Sequence, residues 1–414
     1  MTQSNETNSC SRRVFLEFAG STVLTAGSIL LTQAGRAYPA ETRKKIRIGV
    51  VGGNFGATFW WHEHPNCEVT GVTDLRPERR ERLRERYHCD NVYDSLEIMV
   101  RKARNIDAVA IFSGAVDHAK HVKMCMERGW HVVSAVPACF SLEEAAMIKE
   151  VKEKTGLKYM MAESSYYRQE CIFARNLYKA DKFGELFYTE AEYYHDRGSL
   201  KNLAENPNTR FFTPDGKHSW RWGFPPMHYP THSLGFLTGV TKERVVKVSC
   251  LGWSGTRPEL KNHPFLADNA YGNPFWNEAS IMLTDRGHTC RCNVFWICVA
   301  GGERAQWFGD RATLYMPVGG LHGSVERVRT KGARKIVVPQ YWKSDMLPEP
   351  MRHASGHGGS AVFICAEFIN ALLEDREPEI DIYESLAMTV PGIVAHESAL
   401  KQGEQLEVPQ FDPA

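Results

Sequence analysis

The sequence predicts an α/β protein with two domains: an N-terminal doubly wound parallel sheet and a C-terminal α+β domain with a large, mostly antiparallel sheet. Short strands and helices alternate over residues 46–161, and longer strands then follow one another without helices between them. The 414 residues, 43% hydrophobic and 24% charged, suffice for two cores. The net charge of +1 offers no field for nucleic acid or an anionic membrane, so the expected partner is a small molecule.

The first 37 residues have the pattern of an export signal. Arg12 and Arg13 precede an apolar stretch, residues 18–31, which is too short and too weakly apolar to span a bilayer comfortably. Small residues follow, ending at Ala37, where a signal peptidase would cut. This order predicts a twin-arginine signal over residues 1–37 and a periplasmic or otherwise exported protein without membrane contact after cleavage. An ordinary N-terminal helix and an uncleaved anchor are the alternatives.

The first domain is predicted over residues 44–163. Its alternating strands and helices demand a parallel sheet with right-handed crossovers. Ser141 and Glu144 have the spacing of a capping box, which opens the last helix of the domain. The predicted strands are 46–51, 69–74, 107–112, 131–134 and 157–161, and the predicted helices are 77–87, 95–104, 116–128 and 141–154.

The second domain is predicted over residues 164–414. Successive strands without intervening helices indicate a mostly antiparallel sheet. Two long polar and aromatic connections, residues 201–226 and 257–277, interrupt the strands, and loops of this length are usually functional or mobile. The predicted strands are 186–194, 245–251, 279–284, 289–299 and 312–316, and helices 361–374 and 383–402 close the chain.

The chain contains 11 cysteines and no C-x-x-C pair. Cys290 and Cys292 alternate along a predicted strand, and most of the others are scattered through apolar segments. Cysteines in this arrangement are more often buried small hydrophobes than a disulfide framework. Because the ligand spacing of a zinc site is also missing, we predict no metal site.

A glycine-rich turn follows the first predicted strand and precedes a helical segment. Glycine allows a pyrophosphate to approach backbone N–H groups closely, at a helix N-terminus that favours negative charge. In the pattern G-x-G-x-x-A, Asn54 stands in place of the middle glycine, and asparagine tolerates positive φ better than most residues. The turn residues assigned to the cofactor are Gly52, Gly53, Asn54, Phe55 and Gly56.

Asp74 ends the second predicted strand, 22 residues after Gly52. An acidic side chain at this position accepts hydrogen bonds from the adenosine ribose and repels a 2′-phosphate, which favours NAD. Arg76, two residues later, could accommodate that phosphate, so NADP is the alternative. Asp74 could also serve only as a cap for the helix that begins at Pro77.

The glycine turn, Asp74 and the segments 117–121, 129–133 and 141–145 resemble the Gfo/Idh/MocA oxidoreductases. The resemblance covers nearly all of the chain after the signal, and implies a Rossmann domain, NAD(P)-dependent redox chemistry and a homo-oligomer, either dimer or tetramer. It places four further residues at the cofactor: Ser113, His118, Val136 and Pro137. Family members carry Glu-Lys-Pro in this loop, with the lysine assisting proton transfer, and Val136 cannot take over that role.

A narrower resemblance accounts for the missing lysine. Residues 136–138, 160–167 and 229–232 are similar to the branch of NAD-dependent α-N-acetylgalactosaminidases, which also carries valine at the lysine position. Ser233 departs from that branch, where glycine follows the histidine, so a neighbouring group fits equally well. The resemblance implies either net oxidation of a sugar or glycoside, or glycoside hydrolysis by transient oxidation and elimination. A non-catalytic nucleotide- or sugar-binding protein is the third alternative.

The segment from His228 to His232 is the most specific chemical cluster of the second domain. In the oxidoreductase family an aspartate and a histidine four residues apart lie under the nicotinamide, and His228 takes the position of the aspartate. A pair at this spacing shares one helical face if the helix begins near Pro230. We predict His232 as the general base, because a histidine pKa lies near working pH. Tyr229 or Tyr167 would relay the proton or act as the acid. Alternatively, His228 and His232 are packed interface residues without a catalytic role.

Several aromatic and polar residues fit the recognition of a sugar. Sugars present apolar C–H faces and many hydroxyls, which suit flat rings, amides and guanidinium groups. The residues assigned to the substrate are Glu163, Trp220, Arg221, Trp222, Tyr271, Asn273 and His357. An aromatic run that belongs to the core, and for His357 a helix N-cap loop, are equally good interpretations.

Export constrains how the cofactor is used. Twin-arginine export carries folded proteins, and NAD is not freely supplied outside the cytoplasm. A Rossmann domain exported in this way is expected to load NAD first and to hold it tightly. We therefore predict that the chemistry regenerates the bound cofactor within each cycle.

Overall fold

The computed structural model describes residues 45–196, 203, 205, 206, 209–316 and 336–413. The predicted export signal over residues 1–37 lies outside the described residues. The domain boundary predicted at residues 163 and 164 falls between two sheets, whose strands are described below.

The first sheet is parallel throughout, as predicted. Its six strands lie in the order β3-β2-β1-β4-β5-β6, so the direction of the strand order reverses between β1 and β4. This order defines a doubly wound sheet, in which ligands bind at the carboxyl ends of the strands beside the reversal. The strands are β1 Ile46–Val51, β2 Cys67–Thr73, β3 Val92–Tyr93, β4 Ala108–Ile111, β5 His131–Ser134 and β6 Tyr159–Met161.

Helices alternate with these strands, and two of them begin at a serine whose side chain caps the helix, Ser95 and Ser141. The predicted capping box is present: Glu144 N–H donates to Ser141 Oγ at 3.2 Å, and the Glu144 carboxylate accepts from Phe140 N–H at 2.7 Å. Gly156 ends that helix in the left-handed region, with φ +64°. The helices are α1 Pro77–Tyr87, α2 Leu96–Lys102, α3 His118–Glu127 and α4 Leu142–Thr155.

The second sheet has seven strands in the order β12-β11-β7-β10-β9-β8-β13. Only the pairing of β10 with β7 is parallel, so the sheet is mostly antiparallel, as predicted. The strands are β7 Leu186–Asp196, β8 Val245–Trp253, β9 Asn277–Thr284, β10 Thr289–Phe295, β11 Ile297–Gly309, β12 Thr313–Tyr315 and β13 Leu406–Glu407.

The strand predicted over residues 289–299 is two strands. The chain reverses at Trp296, so that β10 and β11 lie on opposite sides of β7. The indole N–H of Trp296 donates to the carbonyl of Phe224 at 2.7 Å, and its backbone N–H donates to the carbonyl of Trp276 at 3.0 Å. These bonds fix the reversal and turn the indole toward the interior.

The helices of the second half pack against both sheets. They are α5 Gln169–Lys179, α6 Thr231–Thr241, α7 Pro258–Lys261, α8 Pro264–Ala267, α9 Gly356–Leu373 and α10 Ile382–Leu400. From α9, Asn370 Oδ1 lies 3.1 Å from His64 Nε2 of the first domain. Helix α9 is long and apolar enough to cross a membrane, but most of it is buried inside the protein. The C-terminal helices therefore join the two sheets.

The ten cysteines in the described part of the chain are free thiols, and nine of them are buried. This agrees with the prediction that they act as small core hydrophobes. No group of three His, Cys, Asp or Glu side chains among the described residues lies close enough together to hold a metal ion.

Candidate active site

A cleft with a volume of about 1120 Å³ begins at the carboxyl ends of β1, β2 and β4 and extends to the second sheet. The glycine turn and Asp74 line one end, and Tyr229, His232 and Trp296 line the other. Most small-ligand pockets have volumes of roughly 300–1000 Å³. The cleft therefore has room for a dinucleotide and a sugar together, at the edge of the sheet where the strand order reverses.

Two glycines of the turn leave no room for a side chain. Gly52 has a φ of +96°, and a Cβ atom there would lie 2.3 Å from the carbonyl oxygen of Phe112. A Cβ atom on Gly53 would lie 2.2 Å from the carbonyl oxygen of Arg79. Because both contacts are to backbone, only glycine fits, and the bare turn can approach a pyrophosphate closely.

The segment after the turn is not the expected α-helix. It forms two short 3₁₀ segments, Gly56–Thr58 and Trp61–Glu63. Phe59 stacks on Phe112 with ring centroids 4.4 Å apart, so aromatic packing takes the place of a regular helix. Residues 54 and 55 line the cleft, and their backbone N–H groups have no acceptor among the described residues, so they are available for phosphate oxygens.

Asp74 is fixed where a ribose would lie. Its carboxylate accepts hydrogen bonds from the backbone N–H groups of Gly53, at 2.7 Å, and Arg76, at 2.8 Å. Each carboxylate oxygen keeps a second lone pair, and the side chain lines the cleft. The carboxylate thus ties the glycine turn to the end of β2 and can still accept from ribose hydroxyls, as NAD requires. Arg76 also lines the cleft.

Four further residues predicted at the cofactor lie together beyond β4 and β5. His118 is buried, and its Nδ1 lies 2.8 Å from the carbonyl oxygen of Pro137, while its Nε2 lies 3.3 Å from that of Ser113. Burial lowers the pKa of His118 to about 4, so the ring is neutral and its single N–H donates to one of the two carbonyl groups, of which that of Pro137 is nearer. Val136 lines the cleft at the position of the family lysine.

His232 and Glu163 form a buried pair beside the cleft. His232 lies in the first turn of α6, and its Nδ1 is 2.8 Å from Oε1 of Glu163. The same oxygen accepts the backbone N–H of Ser165 at 2.7 Å. The sequence assigned Glu163 to the substrate, but Glu163 is fully buried and does not line the cleft, so it orients His232 instead. With Nδ1 held by the carboxylate, Nε2 is the ring nitrogen left for substrate.

The surroundings make His232 a stronger base. Burial lowers the pKa of His232, but the attraction and hydrogen bond of Glu163 and the attraction of Glu303 together outweigh burial, and the net shift is upward. Glu303 acts in the same direction from 4.0 Å, and its carboxylate also accepts Nε of Arg168 at 3.0 Å. Although burial raises the pKa of Glu163, contacts led by His232 lower it overall, so the pair is a carboxylate with a readily protonated imidazole.

Replacing Glu163 with glutamine is expected to shift the acid limb of the kcat/KM profile to lower pH. The base must be neutral to act, so activity falls as pH drops through the His232 pKa, and removing the carboxylate lowers that pKa. We expect the plateau rate to fall as well, by roughly 10- to 100-fold, because the imidazole becomes a weaker base. A pH series on E163Q checks this, with E243Q as the control, because Glu243 pairs with His288 outside the cleft.

The structure separates His228 from the candidate base. The helix does begin at Pro230, its N-cap, as the sequence required, but this start leaves His228 in the preceding 3₁₀ segment, Pro226–His228. The prediction that His228 and His232 share one helical face is therefore wrong. The ring of His228 packs against Phe140 at 5.4 Å and against His396 at 5.1 Å, and it does not line the cleft. Burial lowers the pKa of His228 to about 3, which makes it a packed, neutral ring.

Tyr167 also lies outside the cleft lining. Its ring stacks on Phe363, with centroids 6.0 Å apart, and its hydroxyl has no hydrogen-bond partner among the described residues. Burial raises the pKa of Tyr167 well above its ordinary value. Tyr229 lines the cleft beside His232, with ring centroids 5.3 Å apart, so it is the tyrosine positioned to act there.

Apart from Glu163, the six residues assigned to sugar binding divide into two groups. Trp220, Arg221 and His357 line the cleft. The other three shape the loop behind it: Trp222 donates its indole N–H to Asp268, Tyr271 donates its hydroxyl to Trp220, and Asn273 holds its own turn through Phe275. Asn273 is fully buried, and its amide is used by these bonds, so it cannot reach a ligand.

Several cleft residues were not predicted from the sequence. Tyr193 projects from β7, Trp296 lies at the chain reversal, and Arg210 lies in the long connection. Glu303 and Arg168 form a pair behind His232 across 135 residues of sequence. Tyr193 lies in β7, and alternation along a strand does not show which of its two faces meets the cleft.

Two family models match this chain. Residues 46–163 match the oxidoreductase family with an NAD-binding Rossmann fold, and residues 341–414 match the C-terminal domain of glycosyl hydrolase 109. The fold and the cleft therefore define an NAD-dependent oxidoreductase with a Gfo/Idh/MocA-type cofactor domain. The predicted cofactor, NAD, is confirmed by this match.

The chain is further similar to proteins named for glycosyl hydrolase family 109. It is 23% identical to such a protein of Streptomyces coelicolor, over 98% of this chain and 95% of the relative. It is 22% identical to one of Stenotrophomonas maltophilia, over 95% and 94%. Among solved structures it resembles scyllo-inositol dehydrogenase of Lactobacillus casei with bound NAD(H) and scyllo-inositol, with a TM-score of 0.64, 16% identity and coverage of 88% and 99%.

Proposed function

We propose that this chain is an NAD-dependent glycosidase, which hydrolyses a glycoside through transient oxidation of a sugar hydroxyl. The observation that carries the proposal is the buried pair of His232 and Glu163 in a cleft that also contains the glycine turn. The similarity to glycosyl hydrolase family 109 proteins supports hydrolysis as the net reaction. Net oxidation of a sugar is the second candidate, since it uses the same site.

The residues present fit NAD. The bare turn at Gly52 and Gly53, the free N–H groups of residues 54 and 55, and the carboxylate of Asp74 match a pyrophosphate and a ribose diol. When bound, NAD supplies a two-electron hydride acceptor that returns the hydride within the same cycle. Val136 offers no amine to this end of the cleft, so proton transfer there falls to other side chains.

In the proposed reaction, His232 Nε2 receives the proton of the sugar hydroxyl that becomes a carbonyl. Glu163 keeps the proton on Nδ1 and stabilises the imidazolium that forms. Burial raises the pKa of Tyr229, although Arg221 opposes that shift, so its hydroxyl stays protonated at neutral pH. Tyr229 can therefore donate to a sugar or leaving-group oxygen next to the base.

The net hydrolysis is redox-neutral, because the sugar carbon that is oxidised is reduced again after the leaving group departs and water adds. This property suits a protein exported with its cofactor already bound. The twin-arginine pattern of residues 1–37 supports such export. We propose on this basis that NAD stays bound between turnovers.

Purified protein is expected to carry about one NAD per chain and to release aglycone from a chromogenic glycoside without accumulating NADH. A panel of α- and β-linked chromogenic sugars, followed at the aglycone band and at the reduced-nicotinamide band, checks this. Growth of the NADH band in proportion to product would contradict net hydrolysis and favour net oxidation. Protein isolated without NAD, and dependent on added NAD, would contradict the retained cofactor.

A further inference from the structure

Arg221 is a cleft arginine without an acidic partner in the part of the chain that the structure describes. Arg221 lines the cleft. Its backbone N–H donates to Ser219 Oγ, but its guanidinium makes no hydrogen bond or ion pair with any residue that the structure describes. Arg168, behind His232, differs from Arg221 in this respect, because its Nε donates to the Glu303 carboxylate at 3.0 Å. An arginine withdrawn from water usually has a partner of this kind.

Trp220 holds the Arg221 side chain in place. The guanidinium carbon lies 4.0 Å from the centroid of the Trp220 ring, which is a stacked cation–π arrangement. Stacking uses the face of the guanidinium and leaves the N–H groups on its edge free for planar acceptors. Burial lowers the pKa of Arg221, so the positive charge is costly where it stands. A bound anion would offset that cost.

Arg210 adds a second positive charge to the same part of the cleft. Its Nη2 has a long contact of 3.4 Å with Nδ1 of His195, which is no anion, and it forms no ion pair among the described residues. The acidic side chains that line the cleft, Asp74, Glu97 and Asp117, all come from the first domain. Asp117 lies near Gly114, which packs against Trp220, but none of these carboxylates forms an ion pair with Arg221 or Arg210. Both guanidinium groups are therefore left without a counterion among the described residues.

We propose that the substrate is a glycoside whose sugar carries one anionic group, a carboxylate or a sulfate, bound by Arg221 with Arg210 beside it. A stacked guanidinium with a free edge matches the two oxygens of either group through paired N–H···O bonds. Recognition of the anion would place the sugar against Trp220, with a hydroxyl toward His232 Nε2. This inference rests on the proposed function, because it names the substrate class of the same site.

The test uses protein purified with its NAD. Chromogenic glucuronides and glucoside 6-sulfates are compared with the matching neutral glucosides, in both anomers. We expect kcat/KM to favour one charged class over its neutral counterpart by about 10- to 100-fold. The variant R221Q should lose that ratio, R221K should keep part of it, and R82Q, which removes an exposed charge on α1, should leave it unchanged. Equal turnover of charged and neutral glycosides would overturn the inference and leave the proposed function standing.

A binding measurement separates this inference from the proposed function if no glycoside is turned over. Calorimetry of the NAD-bound protein with glucuronate, glucose 6-sulfate and glucose should show binding of an anionic sugar only, and R221Q should abolish it. Equal binding of glucose, or no binding of either anion, would overturn the inference. The NAD content of R221Q provides the remaining check. Loss of NAD from this variant would show that Arg221 binds the cofactor, and would also overturn the inference.

Discussion

Replacing His232 with alanine is expected to lower turnover of the sugar substrate by about 10²- to 10⁴-fold, with bound NAD retained. The imidazole is the ring in the cleft that is held by a buried carboxylate, Glu163, at 2.8 Å. Val136, at the position of the family lysine, has no basic group, so it cannot take the hydroxyl proton when the imidazole is missing. The measurement is kcat/KM on the preferred glycoside, with NAD quantified after denaturation.

The same chain offers a matched control for this variant. His288 is also buried and also faces a glutamate, Glu243, with Nδ1 and Oε2 3.2 Å apart, but it lies outside the cleft lining. H288Q should therefore cost stability without a comparable loss of activity in the folded protein. Because alanine at position 232 leaves Glu163 buried without its partner, H232N is measured alongside H232A. Activity of both variants within a few-fold of the unmodified protein would remove His232 from the mechanism.

The first domain was largely predictable because its elements leave local signals. The predicted helix 77–87 and strand 131–134 coincide with α1 and β5. The capping box of Ser141 and Glu144 was visible in the sequence and is present in the fold. Strand β3 has only two residues, too few for any periodic pattern, and was missed. The aromatic packing that replaces the first helix depends on Phe112, far along the chain, and so left no local signal.

The second domain was less predictable because burial hides its periodicity. Every residue of α6 is buried, so this helix shows no polar face and was not predicted over its length. The strand predicted over residues 289–299 contains no glycine or proline, yet the chain reverses at Trp296. That reversal is fixed by bonds to Phe224 and Trp276, which lie more than 15 residues away. Tertiary contacts overrode local propensity there.

The site shows the same division between local and distant information. The glycine turn, Asp74 and the histidine of the Tyr-Pro-Thr-His segment are short motifs, and the structure brings them to one cleft. Glu163 and His232 are 69 residues apart, so the sequence assigned Glu163 to the site but did not show that it pairs with His232. His228 shows the converse: its spacing indicated a shared helical face, but Pro230 starts the helix two residues too late.

Replacing Gly52 with alanine is expected to empty the cofactor site and to destabilise the protein. A Cβ atom there would lie 2.3 Å from the carbonyl oxygen of Phe112, at a φ of +96° that side chains rarely adopt. The carbonyl belongs to the backbone just after β4, so the turn has to move, and residues 54 and 55 move with it. We expect NAD to be absent from the purified variant, with a loss of at least about 1–3 kcal/mol in unfolding free energy from the strained backbone alone.

The variant G129A is the control that distinguishes backbone strain from a steric clash of the new Cβ atom. The φ of Gly129 is +93°, nearly the value at Gly52, but a Cβ atom there would have no described atom within 4 Å. G129A should therefore show the conformational cost of a positive φ and keep its NAD, whereas G52A should lose both stability and cofactor. Urea unfolding and an enzymatic assay of released NAD measure the two effects. Stoichiometric NAD in G52A would show that the turn does not contact the pyrophosphate, because a displaced turn could not hold it.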